Sequence, residues 1–146
     1  MNIRFATSED KDEVLRLFDE FSKLNKAKDI PSEVGNPIFN EVISRNDTKI
    51  FVAEENGILY GLATFYLLPN IRHGWHRGHI EDFFVSASKR GTGVGTQIFN
   101  GIKDYCRKNG IKVVKLDSGN ELTAAHYFYE KNGGKQTERM FRFDIK

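Results

Sequence analysis

His79-Ile80-Glu81-Asp82-Phe83-Phe84-Val85 leads through a short turn carrying Lys89 and Arg90 into Gly91-Thr92-Gly93-Val94-Gly95, and apolar residues at helical spacing follow. The first run reads as a strand. The last reads as a helix, with Val94, Ile98, Ile102 and Tyr105 on one stripe and Phe99 and Cys106 widening it. Three alternate glycines between strand and helix mean that the main chain must pass close to something, with its N–H groups turned outward. The unpaired amides of a helix start, the positive end of its dipole and the adjacent Arg90 together favour a pyrophosphate.

Spacing narrows the choice of phosphate ligand. A Walker loop needs Gly-x-x-x-x-Gly-Lys-Ser/Thr, and Thr96 and Gln97 stand where the lysine should be. A dinucleotide fingerprint would put its third glycine at position 96, which is Thr96, and would lie on a first βαβ unit rather than in mid-chain. What remains is Arg-x-x-Gly-x-Gly, met by Arg90, Gly93 and Gly95. This resembles the acetyl-coenzyme A (acetyl-CoA) signature of the GNAT superfamily of N-acetyltransferases. A second stretch, Ala125-His126-Tyr127-Phe128-Tyr129-Glu130-Lys131-Asn132-Gly133, is similar to the Ala-x-x-Phe-Tyr-Glu-Lys-x-Gly segment near that family's C-terminus. The Glu81–Val85 run is similar to the spermidine/spermine and thialysine acetyltransferase branch.

The resemblance implies one acetyltransferase domain over residues 1–146, transferring acetyl from acetyl-CoA to a primary amine of a small molecule by direct attack in a ternary complex. It implies coenzyme contacts at Phe84, Val85, Arg90, Gly91, Thr92, Gly93, Val94, Gly95, Thr96 and Asn120, with Glu81 as base and Tyr129 as the acid that protonates the departing sulfur. It implies no metal and allows a homodimer. Two departures from the family stand out: the asparagine usually seven residues before the helix tyrosine is replaced by Leu122, with Asn120 two positions early, and Gly133-Gly134 stands for the commoner Gly-Phe. Two other readings stay open: a non-catalytic coenzyme A-binding or sensor module, and an enzyme acting on a protein or peptide amine.

Chemistry weighs the candidates independently. An alkyl amine has a pKa of roughly 10 and is mostly protonated near neutrality, so a base or water path helps. Glu81 and Asp82 are adjacent on a strand, and regular alternation would send them to opposite faces, leaving Asp82 for a structural or cation-attracting role. A phenol such as Tyr129, with a pKa of roughly 10, is matched to a thiol at roughly 8.5 for proton transfer. Tyr127 lies on a different helical face. Cys106 falls on the apolar stripe, where a free cysteine behaves as a small hydrophobe, and no acyl-enzyme is implied. His73, Trp75, His76 and His79 cluster where the acceptor would lie, and Lys89 reads as a solvated charge.

Composition agrees with an ordinary globular domain. In 146 residues, 39% are hydrophobic, including 12 phenylalanines, and 29% are charged, enough for a core without staples. A net charge of +2 gives no footprint for nucleic acid, and one cysteine and four scattered histidines give neither a disulfide framework nor a zinc pattern. There is no apolar run of membrane-spanning length and no charged-then-apolar leader, so the expectation is a cytoplasmic protein.

The remaining elements follow in order. Ile3–Ala6 reads as a strand; Ser8 or Asp10 caps a helix to about Leu24, burying Val14, Leu17, Phe18, Phe21 and Leu24. Residues 25–35 read as a loop and 37–45 as a helix burying Ile38, Val42 and Ile43. Asn56-Gly57 marks a hairpin between strands at 49–54 and 58–68, and 69–78 reads as a loop. After Gly110 come a strand at 111–117, a helix at 123–132 and a closing strand at 140–144. The order predicts an α/β (α+β) fold: a central mixed β-sheet flanked by helices on both faces.

Overall fold

Asn56 and Gly57 both adopt positive φ, 54° and 79°, which is what a two-residue type I′ turn requires, and the chain doubles back there as the sequence predicts. In the computed structural model residues 1–24 and 32–146 are described, with only the backbone of 32–36. The elements are β1 (Asn2–Phe5), α1 (Lys11–Leu24), α2 (Ser32–Ser44), β2 (Thr48–Glu55), β3 (Ile58–Asn70), β4 (Trp75–Val85), α3 (Val94–Lys108), β5 (Val114–Leu116) and α4 (Thr123–Lys131). β1 to β4 are antiparallel neighbours, and β5 joins beside β4 after α3, completing a five-stranded mixed sheet in the order β1-β2-β3-β4-β5. The predicted fold class is borne out.

Alternation along β2 sorts the core onto two faces. Ile50 and Val52 meet Val14, Leu17 and Phe39 from α1 and α2, together with Leu59, Leu62 and Phe84. Phe51 turns the other way and joins Phe65 and Tyr105 of α3, their rings edge to face at 5.7–5.9 Å. On that face Val94, Ile98, Ile102 and Cys106 are buried, as their spacing predicts. Helices therefore cover both faces.

Several expectations are corrected. Thr7, not Ser8 or Asp10, is the cap: its N–H donates to Asp10 Oδ2 at 2.7 Å, its hydroxyl accepts from Glu9, and a 3-10 turn at Ser8–Asp10 leads into α1. Arg4 grips the same carboxylate with two bonds of 2.8 Å, and this hydrogen-bonded guanidinium holds Asp10 down to about 2. The predicted loop at 25–35 falls outside the described residues up to 31, whereas 32–35 are helical. Pro37 was read as a helix start but sits inside α2, and the buried residue is Phe39 while Ile38 is exposed. Leu24 is exposed too. The expected loop at 69–78 is mostly ladder, with Pro69 opposite His76 and Asn70 opposite Trp75 around a turn at 71–74. β5 is three residues rather than seven.

The chain separates into two compact units, Met1–Lys115 and Leu116–Lys146. In the second, α4 ends where Gly133 takes φ 93°; its N–H donates to Glu130 O and that of Gly134 to Tyr129 O, a Schellman cap. A methyl on Gly134 would lie 2.9 Å from Tyr129 O, which accounts for the second glycine. The predicted strand at 140–144 is absent: residues 135–146 form neither helix nor strand, and Met140, Phe141, Phe143 and Ile145 are exposed. Alternation shows which residues would share a side of a strand; it does not supply a neighbouring strand to pair with.

Gly61 faces α3 so closely that a Cβ there would lie 2.8 Å from Ile98 Cδ1 and 2.9 Å from the main-chain oxygen of Phe84. Because the backbone oxygen cannot rotate away, Gly61→Ala should destabilise the fold by about 1–3 kcal/mol, read as a lower urea midpoint at unchanged slope. An unshifted midpoint would show that the helix withdraws without cost.

Candidate functional site

The turn before α3 is built on two glycines in the left-handed region, Gly91 at φ 73° and Gly93 at φ 89°, with Gly93 as the N-cap. No heavy atom lies within 4 Å of where a Cβ on either would stand. The first helical bond runs from Gln97 N–H to Gly93 O at 3.0 Å, so the N–H groups of Val94, Gly95 and Thr96 precede the ladder. Val94 is buried as a whole residue, whereas Gly95 is half-buried and Thr96 exposed. This open, donor-rich turn offers a cradle for an anion.

The flanking residues divide their work. Lys89, expected to be solvated, donates to Glu55 Oε2 at 2.8 Å and lies over the Tyr60 ring at 4.7 Å. Arg90 spends its Nε on Val85 O at 3.0 Å and rests on the Phe84 ring at 5.4 Å, keeping its head at the mouth of the turn. Phe84 is a core residue whose ring lies tilted against Phe21 at 5.0 Å. Val85 is half-buried, and Thr92 bonds its hydroxyl to Lys89 O at 2.6 Å. The structure thus brings Phe84, Val85, Arg90 and residues 91–96 together at the head of α3.

Glu81 and Asp82 do not alternate. Phe65 pairs with Ile80 and Ala63 with Phe83, so Thr64 opposes both Glu81 and Asp82 in a β-bulge. Ile80 and Phe83 share the α3 face, where Phe83 meets Phe99 at 6.1 Å, and the two carboxylates between them share the other. The expectation that only one could reach a given pocket is corrected. Thr64 repairs the interrupted ladder, its hydroxyl accepting the Asp82 N–H at 2.9 Å and donating to Asp82 Oδ2 at 2.7 Å. Burial pushes the Asp82 carboxyl above its ordinary range, and burial with the Asp82 and Glu81 charges pushes the Tyr66 phenol up. Glu81 itself is exposed, with Oε2 2.9 Å from His79 Nε2; His79 Nδ1 is buried without a partner among the described residues. Trp75, His76 and His79 are on β4, and His73 stacks on Trp75 at 5.1 Å.

In the second unit Asn120 is exposed on the turn closed by Leu122 N–H to Gly119 O, just before α4. Tyr129 is half-buried on α4 against Phe128, and that burial pushes its phenol up; Tyr127 is exposed. Cys106 is buried, its thiol pushed up to about 11 by that burial, which suits a packing role. Sequence reading missed Thr64 and Glu55, which belong to no motif and act across 18 and 34 residues. Among the described residues no group of three or more His, Cys, Asp or Glu side chains is arranged to hold a metal ion, and no helix is long and apolar enough to cross a membrane.

Residues 12–134 match the acetyltransferase (GNAT) family. The chain is 34% identical over 99 residues to glucosamine 6-phosphate N-acetyltransferase of Trypanosoma brucei brucei, covering 67% of this chain and 65% of that enzyme's length. It is 27% identical to aminoalkylphosphonate N-acetyltransferase of Salmonella typhimurium, covering 97% and 88%. An aminoglycoside acetyltransferase from an uncultured soil metagenomic sample superposes with a TM-score of 0.87 over 99% of this chain and 96% of that one, at 18% identity, a likeness of fold.

The half-buried Asp82 sets a pH dependence. Its folded state binds the proton more tightly than the unfolded chain, so the stability this contributes is present below about pH 4 and lost as pH rises through the raised value. Asp82→Asn keeps an oxygen for Thr64 and carries no charge. Urea midpoints should show it at least as stable as the parent at about pH 7, with the difference vanishing near pH 3. A less stable variant at neutral pH would show that the ionised form is the one held.

Proposed function

The chain belongs to the acetyltransferase (GNAT) family, and from that premise we propose that it moves an acetyl group from acetyl-CoA to the primary amine of a small molecule by direct attack, with both substrates bound. The observation that carries this reading is the turn at 91–96, where two left-handed glycines with open space on their Cβ side stand beside Arg90 and lead into three amides that precede the helical ladder. The coenzyme fits these residues: a pyrophosphate needs main-chain donors, room where a Cβ would stand and a nearby cation. Arg90 and the amides from Gly91 to Thr96 would hold it, with the main chain of Phe84 and Val85 alongside and Asn120 as a further contact. When bound, acetyl-CoA supplies an acyl group on a thiol leaving group.

The chain's own residues manage the protons. Glu81 accepts, through water, the proton that the attacking nitrogen sheds as the N–C bond forms, and Tyr129 gives its phenolic proton to the sulfur as the C–S bond breaks. The Tyr129 phenol, pushed up by burial, carries its proton at neutral pH as any phenol does. The proposal takes residues 1–146 as one working domain and assigns Cys106 no covalent role. It puts the enzyme in the cytoplasm, acting without metal, nucleic acid or membrane, and it allows a homodimer.

A small acceptor is supported by the two named relatives, whose acceptors are an amino sugar phosphate and an aminoalkylphosphonate. The Glu81–Val85 resemblance points within that class toward polyamine-like amines, and two carboxylates on one face of β4 suit a cationic acceptor.

Two measurements test the reading. Gly93→Asp adds a side chain and a negative charge where the pyrophosphate would lie, and calorimetry on the folded variant should show acetyl-CoA binding weakened at least tenfold, about 1.4 kcal/mol. Unchanged affinity would remove the turn from the site. A coenzyme A-release screen across polyamines, amino sugars, aminoalkylphosphonates, aminoglycosides, amino acids and peptides identifies the best acceptor. With it, Tyr129→Phe should lower kcat by roughly a hundredfold or more while leaving acetyl-CoA affinity nearly unchanged. A phenylalanine variant as fast as the parent would make the tyrosine structural.

A further inference from the structure

The 3-10 turn Ala87–Lys89 launches the segment that ends in Gly91 and Gly93, yet Ser86 before it makes no side-chain cap of its own. Its Oγ is turned away and donates to both carboxylate oxygens of Glu20 on α1, at 3.0 and 3.1 Å. The same Glu20 Oε1 accepts the Ala87 N–H at 2.9 Å, so a carboxylate 67 residues away in sequence performs the capping. Ser86 is buried, and its main chain is fixed as well: its N–H donates to Tyr60 O at 2.8 Å and its carbonyl accepts from Lys89 N–H at 2.9 Å. α1 is itself anchored beside β3, since Glu13 Oε2 accepts the Leu59 N–H at 2.9 Å and Arg16 donates to Leu59 O at 2.6 Å. Arg16 also approaches Glu20 Oε2 at 3.9 Å.

We propose that Glu20 is a positioning residue for coenzyme binding: by clamping Ser86 and Ala87 it sets where Arg90 and the amides of residues 91–96 stand relative to the incoming pyrophosphate. The inference rests on the acetyl-CoA reading of that turn. Misplacing binding groups by about 1 Å is enough to cost much of their interaction, and the clamp is made of charge-assisted bonds, which are the strong ones. Since the clamp acts on binding, its loss should be read in the coenzyme's Kd and KM rather than in kcat.

The test compares the parent with Glu20→Ala and Glu20→Gln. Gln retains Oε1, which accepts from both Ser86 and Ala87, while Ala removes the clamp. Glu20→Ala should weaken acetyl-CoA binding and raise its KM roughly tenfold with kcat within about twofold, and Glu20→Gln should restore binding to within about threefold of the parent. A folded Glu20→Ala with parental Kd overturns the proposal. So does a Glu20→Gln as weak as Glu20→Ala, because charge and not held geometry would then be the cause. Should Glu20→Ala fail to fold, Ser86→Ala takes its place: it removes one donor, and a Kd weakened at least about threefold supports the clamp while a parental Kd overturns it. A parent that does not bind acetyl-CoA by calorimetry fails the coenzyme reading itself, an outcome separate from any difference among the variants.

Discussion

Two glycines, Gly101 on α3 and Gly61 on β3, let helix and sheet meet without a Cβ between them. A methyl at Gly101 would lie 2.9 Å from Ile3 Cγ2, and one at Gly61 would lie 2.8 Å from Ile98 Cδ1. The depth at which α3 sits follows from this contact, and with it the height of the helix start above the sheet edge. Val94, the first residue of α3, is buried directly after the exposed Gly93, so the core and the glycine turn meet within one residue. The aromatic cluster of Phe51, Phe65 and Tyr105 fills the space farther along the helix, holding its axis over β2 and β3.

Burial shapes three ionisable groups toward different ends. Cys106 loses access and acidity together, which leaves a thiol that packs rather than attacks. Tyr129 is desolvated in the same direction, and its phenol, protonated at neutral pH in any case, becomes a weaker acid. Asp82 is the costly case, a carboxyl kept out of water with the Thr64 hydroxyl in compensation. One physical cause, desolvation, favours the neutral form of all three, and its cost depends on the chemistry of the group it acts on.

What could be read from the sequence was what local rules govern. The hairpin at Asn56-Gly57, the stripe of α3 and the glycine turn each depend on neighbours within a few residues, and each is where it was expected. α2 begins at Ser32, well ahead of the start that Pro37 suggests, and the buried Phe39 rather than Ile38 decides which face turns inward. The strand expected at 140–144 has the right alternation, yet residues 135–146 pair with no strand among the described residues, and pairing is a fact no local pattern contains. Of the candidate site, the glycine turn was legible because its glycines answer a backbone requirement. Thr64 with Asp82 and Glu20 with Ser86 were not, because polar pairs joined only by tertiary structure leave no periodic trace.

The bulge in β4 changes how position is counted along this strand. Before it, even-numbered residues such as Ile80 look toward α3; beyond it, the odd-numbered Phe83 does. In and out thus exchange parity between Ile80 and Phe83, and any residue-by-residue comparison with a relative whose strand lacks the extra residue goes out of phase there. A carboxylate matched by column could then stand on the opposite side of the sheet in the two proteins. Equivalence at this strand is a matter of which face a side chain occupies, and the count restarts after Asp82.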